Sequence, residues 1–114
     1  MRPNAYFPGN AWAEPEGLWH MSPMRFMDRV RTPLLIIHAE GDLRCNVEQS
    51  EQVFSALRML RRKTKFVRFP REASHSLSRG GPPDLRELRL EAIGDWFDEH
   101  VAQARRRPPR KTTK

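Results

Sequence analysis

The segment Leu34-Leu35-Ile36-Ile37-His38 constrains this chain more than any other feature. A strand with one wet face alternates apolar and polar residues. This run does not, and so it reads as a strand covered on both faces, the pattern of a parallel sheet. Pro33 in front of it biases Thr32 away from the helical region, and Glu40-Gly41-Asp42 ends it. From Val47 to about Leu60, residues Val53, Phe54, Leu57 and Leu60 share one helical face; Asn46 is placed to cap that helix, and Arg61, Arg62 and Lys63 close it. Lys65-Phe66-Val67-Arg68-Phe69 predicts a second strand, stopped by Pro70. A loop through His75 leads to the turn residues Gly80-Gly81-Pro82-Pro83. A second amphipathic helix then runs from Asp84 to about Val101, with Leu85, Leu88, Ile93, Trp96, Phe97 and Val101 on its inward face. Strand, helix, strand in this order implies a right-handed crossover between parallel strands, so the fold class is α/β, with helices flanking the strands.

At 114 residues the chain has room for one small domain. Three stretches are expected. Residues 1–33 carry five prolines together with Trp12 and Trp19 and show no sustained period, so they read as a loop-rich leading segment with short helical turns. Residues 34–101 hold the α/β unit, and residues 102–114 a basic tail. The net charge of +7 belongs to that tail: residues 105–114 hold six of the 21 cations and no anion, which leaves 15 cations against 14 anions in the rest. Like charge with two prolines cannot bury apolar area, and the tail reads as disordered. Without interleaved aromatic residues it is not expected to bind nucleic acid. No run approaches the roughly 20 apolar residues of a membrane helix, and the mean hydropathy of −0.77 fits a soluble chain. The first residues form no secretory signal, so the cytoplasm is the expected compartment. Cys45 is the single cysteine, which excludes an internal disulfide and any paired-cysteine metal site. His20, His38 and His100 are scattered, His38 reads as structural, and no metal or organic cofactor is expected.

Ligand chemistry in open parallel sheets gathers at the carboxyl ends of the strands. Two loops leave such ends: Glu40 to Asn46, with Asp42 and Arg44, and Pro70 to Gly81, with His75. Neighbouring parallel strands set these loops side by side, so Asp42 and His75 can meet although 33 positions separate them. A carboxylate on one imidazole nitrogen fixes the tautomer and frees the other nitrogen to act as a general base. Spacing alone equally describes a turn-capping aspartate and an exposed histidine.

Longer motifs go further. Thr32-Pro33-Leu34-Leu35-Ile36-Ile37-His38-Ala39-Glu40-Gly41-Asp42-Leu43-Arg44-Cys45, then Glu48-Gln49-Ser50-Glu51-Gln52, resembles the end of the catalytic domain of the prolyl oligopeptidase family, above all its acylaminoacyl-peptidase-like and dipeptidyl-peptidase-like branch. Phe69-Pro70, His75-Ser76-Leu77-Ser78-Arg79-Gly80-Gly81-Pro82 and Arg89-Leu90-Glu91-Ala92-Ile93-Gly94-Asp95-Trp96-Phe97 are similar to that branch in order and spacing. The resemblance spans roughly residues 12 to 101. It implies the C-terminal fragment of an α/β-hydrolase fold, from a serine peptidase that needs no cofactor. Asp42 matches the family's acid and His75 its general base; Arg44 matches a position where some members hold a substrate carbonyl, and it equally fits a surface ion pair. The implied substrate is a peptide or acyl-peptide.

The departure from the family pattern is the nucleophile. Ser22, Ser50, Ser55, Ser74, Ser76 and Ser78 are the serines, and none lies in a G-x-S-x-G elbow. Ser74 and Ser76 adjoin His75, but their side chains leave the backbone in other directions. The expected partners are therefore a serine-bearing N-terminal half or a second copy of the chain. The alternative is a non-catalytic interaction module that uses an exposed sheet edge and the basic tail. Cys45 fits packing better than a reactive thiol paired with His75. Trp96 and Phe97 read as core, and Met21, Met24 and Met27 either line a groove or fill gaps.

Overall fold

The computed structural model describes residues 12, 13 and 15–102; of the basic tail expected at 102–114, residues 103–114 lie outside them. A short helix α1 (Pro15–Met21) and a 3₁₀ segment (Pro23–Arg29) lead into strand β1 (Leu34–Ala39). Helix α2 (Val47–Met59), strand β2 (Thr64–Phe69), the single turn α3 (Leu77–Gly80) and helix α4 (Pro83–Phe97) follow, and α4 loosens into a π-type turn at Asp98–Ala102. The two strands pair in parallel, Leu34 opposite Thr64 through Ala39 opposite Phe69, with α2 as the crossover. No helix among the described residues is long and apolar enough to cross a membrane.

The unbroken apolar run of β1 has its cause in this arrangement. Side chains alternate across the pleat. Ile37, Ala39, Val67 and Phe69 point to one side, where Ala39, Phe69, Ala73 and Leu77 form the buried cluster and Leu85 of α4 packs on it. The other side faces α2: the rings of Phe54 and Phe66 lie 5.8 Å apart, and His38 reaches Ser50. Leu57 of α2 is completely buried. Both faces of the strand pair therefore meet a helix.

Helix α2 starts and stops by local chemistry. The Asn46 side chain accepts a hydrogen bond from the N–H of Glu48 at 3.0 Å. At the other end Arg62 N–H bonds to Leu57 C=O at 2.9 Å and Arg61 N–H to Arg58 C=O at 3.0 Å, the paired bonds of a Schellman stop. That stop needs a left-handed residue, and Arg61 supplies it at φ 55°. Arg62 does more than balance the helix dipole. Its guanidinium donates to the carbonyls of Val30 (2.7 Å) and Asp28 (3.2 Å), tying the leading segment to the end of α2.

The last helix departs from the sequence expectation. Leu85 packs inward, but Leu88, Phe97 and Val101 are 51%, 58% and 44% exposed. A stripe that the 3.6-residue period assigns to a core finds nothing to cover its far half among the described residues. Trp96 is partly shielded by His100, whose ring lies 4.0 Å away.

Two backbone positions give measurable consequences. A Cβ on Gly41 would collide with the carbonyl oxygens of Ala73 and Arg71, both backbone atoms that cannot swing aside. Gly41→Ala is expected to destabilise the fold by about 1–3 kcal/mol, read from urea denaturation. Arg61→Gly, which relieves the left-handed strain, is expected to raise stability by about 1 kcal/mol in the same measurement.

Candidate functional site

Both loops at the carboxyl ends of the strands are anchored before they present a side chain. After β1, Glu40 N–H bonds to Phe69 C=O at 2.9 Å and Gly41 N–H to Ala73 C=O at 3.0 Å, pulling the first loop onto the second. In the second loop Ala73 N–H bonds to Pro70 C=O and Leu77 N–H to Ser74 C=O. Ala73 and Leu77 are buried, whereas Ser74, His75 and Ser76 between them are exposed. The loop is thus pinned at two apolar feet, and His75 stands on the arch between them.

Asp42 divides its two oxygens. Oδ1 accepts the backbone N–H groups of Arg44 (3.0 Å) and Cys45 (2.9 Å), the turn-capping role. Oδ2 accepts from His75 Nδ1 at 3.0 Å. A carboxylate can only accept, so Nδ1 carries the proton and a neutral ring keeps its lone pair on Nε2. The capping role and the pairing role, alternatives at the level of spacing, coexist on one side chain. The carboxyl is held below the usual carboxylate range first by the Cys45 N–H, with His75 and the Arg44 N–H adding to it, while burial opposes. The Asp42 side chain is 9% exposed and that of His75 43%, so the acid is sheltered and the imidazole reachable.

Asp42 and His75 line a cavity of about 300 Å³ together with His38, Ser74, Ser78 and Arg89, among others. Arg89 was not singled out as a site residue from sequence. It lies one helical turn beyond Leu85, which packs on the core, so the same face of α4 carries it to the cavity. His38 is fixed by its partners: Nε2 donates to Cys45 C=O at 2.8 Å, leaving Nδ1 to accept from the Ser50 hydroxyl at 2.6 Å. Its Nε2 lies 3.6 Å from Asp42 Oδ2, too far for a hydrogen bond. Arg44 is exposed, and its guanidinium pairs with no carboxylate among the described residues. Cys45 corrects the sequence expectation. It is exposed rather than packed, and ligand atoms of Asp42, Cys45 and His75 all lie within 4.8 Å of one another.

The family model described as the prolyl oligopeptidase family, Peptidase_S9, matches residues 2–104. The chain belongs to the prolyl oligopeptidase family. Among curated relatives it is 52% identical over 86 residues to the uncharacterized peptidase YuxL of Bacillus subtilis (strain 168), covering 75% of this chain and 13% of that protein. It is 38% identical over 80 residues to a dipeptidyl-peptidase 4 of Giardia intestinalis, covering 70% of this chain and 10% of that protein. Two solved structures of the acylaminoacyl peptidase of Pyrococcus horikoshii match at 28% identity. The orthorhombic form gives a TM-score of 0.72 over 77% of this chain and 14% of that chain; the uncomplexed form gives 0.74 over 81% and 15%. The parallel strands and flanking helices are thus part of an α/β-hydrolase fold. The chain spans between one-tenth and about one-eighth of the length of the curated relatives it matches.

The lowered Asp42 carboxyl has a consequence for stability. Its folded value lies below the ordinary 3.8. The unfolded chain therefore takes up this proton first as the pH falls; the contribution is complete above that ordinary value and vanishes as the pH passes through the lower folded one. Denaturation followed as the pH is lowered through 3.8 and below should show a component that Asp42→Asn removes.

Proposed function

We propose that this chain is the portion of a serine peptidase catalytic domain that supplies the acid Asp42 and the base His75, and that the nucleophilic serine comes from protein outside the 114 residues. The observation that carries this reading is the 3.0 Å contact between Asp42 Oδ2 and His75 Nδ1 at the carboxyl ends of adjacent parallel strands. Family membership supports it. Nε2 of His75, the nitrogen left with the lone pair, accepts the proton of the serine hydroxyl as its oxygen attacks the scissile carbonyl, then returns that proton to the leaving amine. Asp42, ionised well into acid and tethered through Oδ1, holds the ring in the required tautomer and stabilises the imidazolium while it exists.

The substrate class is a peptide or acyl-peptide, and Arg44, exposed two residues past the acid, holds a substrate backbone carbonyl. The uncovered stripe of Leu88 and Phe97 on α4 fits a surface that meets further protein, either the serine-bearing half or a second copy. A free thiol at Cys45 suits a reducing compartment such as the cytoplasm.

The test pairs this chain with the G-x-S-x-G segment of the same protein, in one polypeptide or two, and follows hydrolysis of chromogenic peptide and acyl-peptide substrates. His75→Ala should lower kcat by roughly 10²- to 10⁴-fold and Asp42→Asn by up to about 10⁴-fold. Arg44→Ala should raise KM about tenfold or more with a smaller effect on kcat. A folded assembly with no hydrolysis, or one indifferent to His75→Ala, would leave the non-catalytic interaction module as the better account.

A further inference from the structure

We propose that Asp42, Cys45 and His75 form a binding site for a thiophilic divalent cation, Zn²⁺ first among them, and that occupancy switches the Asp–His pair off. The regulatory half of this statement rests on the catalytic reading above; the binding half does not.

One carboxylate oxygen, one thiol sulfur and one imidazole nitrogen lie within 4.8 Å of one another. Zinc takes sulfur at about 2.3 Å and nitrogen or oxygen at about 2.0–2.2 Å, so tetrahedral donors stand roughly 3.3–3.7 Å apart. The Asp42–His75 separation of 3.0 Å is already close to that spacing. The remaining closure falls on Cys45, which is exposed and carries its sulfur on one rotatable bond.

Its backbone, by contrast, is held on both sides. The Cys45 N–H donates to Asp42 Oδ1 at 2.9 Å, and its C=O accepts from His38 Nε2 at 2.8 Å. The Asp42 carboxylate is likewise fixed through the oxygen not used for pairing. Hydrogen-bonded ligands of this kind are what orients a metal site from behind. His38 and Ser50, which take no part in proton transfer, thereby acquire a role.

A sulfur, nitrogen and oxygen set selects against Mg²⁺ and Ca²⁺, which demand oxygen alone, and favours Zn²⁺. The charges also close. The thiol gives up its proton to water, the imidazole enters neutral and the carboxylate is already ionised, so one thiolate and one carboxylate neutralise the dication. Three protein ligands leave a fourth position to water.

Either imidazole nitrogen gives the same outcome. Metal on Nδ1 displaces the proton shared with Asp42, and that proton passes through solvent to Nε2, which keeps the ring neutral; metal on Nε2 occupies the lone pair itself. In both cases the ring has no lone pair with which to accept a serine proton. No short sequence motif signals the site, because Asp42 and Cys45 are three residues apart while the third ligand comes from the far loop.

The test uses Co²⁺ as a coloured probe on the 114-residue chain, and on its assembly with a serine-bearing segment. One equivalent should produce a thiolate-to-cobalt charge-transfer band with four-coordinate visible bands, which Zn²⁺ abolishes and excess Mg²⁺ or Ca²⁺ does not. Cys45→Ser should remove the charge-transfer band, and His75→Ala and Asp42→Asn should weaken binding at least tenfold. In the assembled peptidase, Cys45→Ser should raise the Zn²⁺ concentration for half-inhibition at least tenfold, measured against that variant's own metal-free rate. Absence of the band in folded protein, or a band that His75→Ala leaves untouched, overturns the proposal. Metal binding without any peptide hydrolysis overturns the catalytic reading and leaves the site standing; hydrolysis without the band does the reverse.

Discussion

The backbone contact between Gly41 N–H and Ala73 C=O, at 3.0 Å, is the constraint on which the rest of the site depends. It closes two loops onto each other just beyond the sheet, where parallel pairing has ended and nothing in the ladder would hold them together. Only a residue without a Cβ can come so close, because the carbonyls of Ala73 and Arg71 occupy the space. Asp42 follows Gly41 directly, and His75 lies two residues past Ala73. One close approach thus sets the separation of Asp42 and His75, and the buried feet Ala73 and Leu77 keep the arch from drifting.

On that frame the electrostatics are economical. Asp42 serves two partners without conflict because they use different oxygens. The loop N–H groups fix the carboxylate, and the carboxylate fixes the imidazole. The same backbone of Cys45 is held from the other side by His38, so the ordered network extends from α2 through Ser50 and His38 to the loop. A thiol ends up beside a carboxylate and an imidazole because the turn that caps Asp42 also carries it there.

The elements themselves were legible from the residues. The run Leu34 to Ile37 lacks alternation because α2 covers one face of the strand pair and the cluster of Leu77 and Leu85 covers the other. Asn46 announces the start of α2 by its own side chain. The end of that helix was less legible, since its left-handed stop falls on Arg61, where glycine would have been the signal. The outer stripe of α4 was legible as apolar but not as uncovered. A period shows which residues share a face, not whether another element arrives to bury it. Cys45 shows the same limit: a lone cysteine in sequence fits packing, and its exposure follows from a turn whose geometry only the coordinates display.

By itself the sequence determined the order of strand, helix and strand, the parallel sense of the sheet and the two loops that leave the carboxyl ends of the strands. These follow from period, turn residues and chain direction, all of which are local. Tertiary structure alone decided that Asp42 reaches Nδ1 and so leaves Nε2 with the lone pair, that Arg89 borders the cavity, and that the Cys45 thiol lies within 4.8 Å of both Asp42 and His75. Each of those depends on ångström distances between residues remote along the chain. Such distances are set by how two loops pack, a property that no stretch of sequence carries alone.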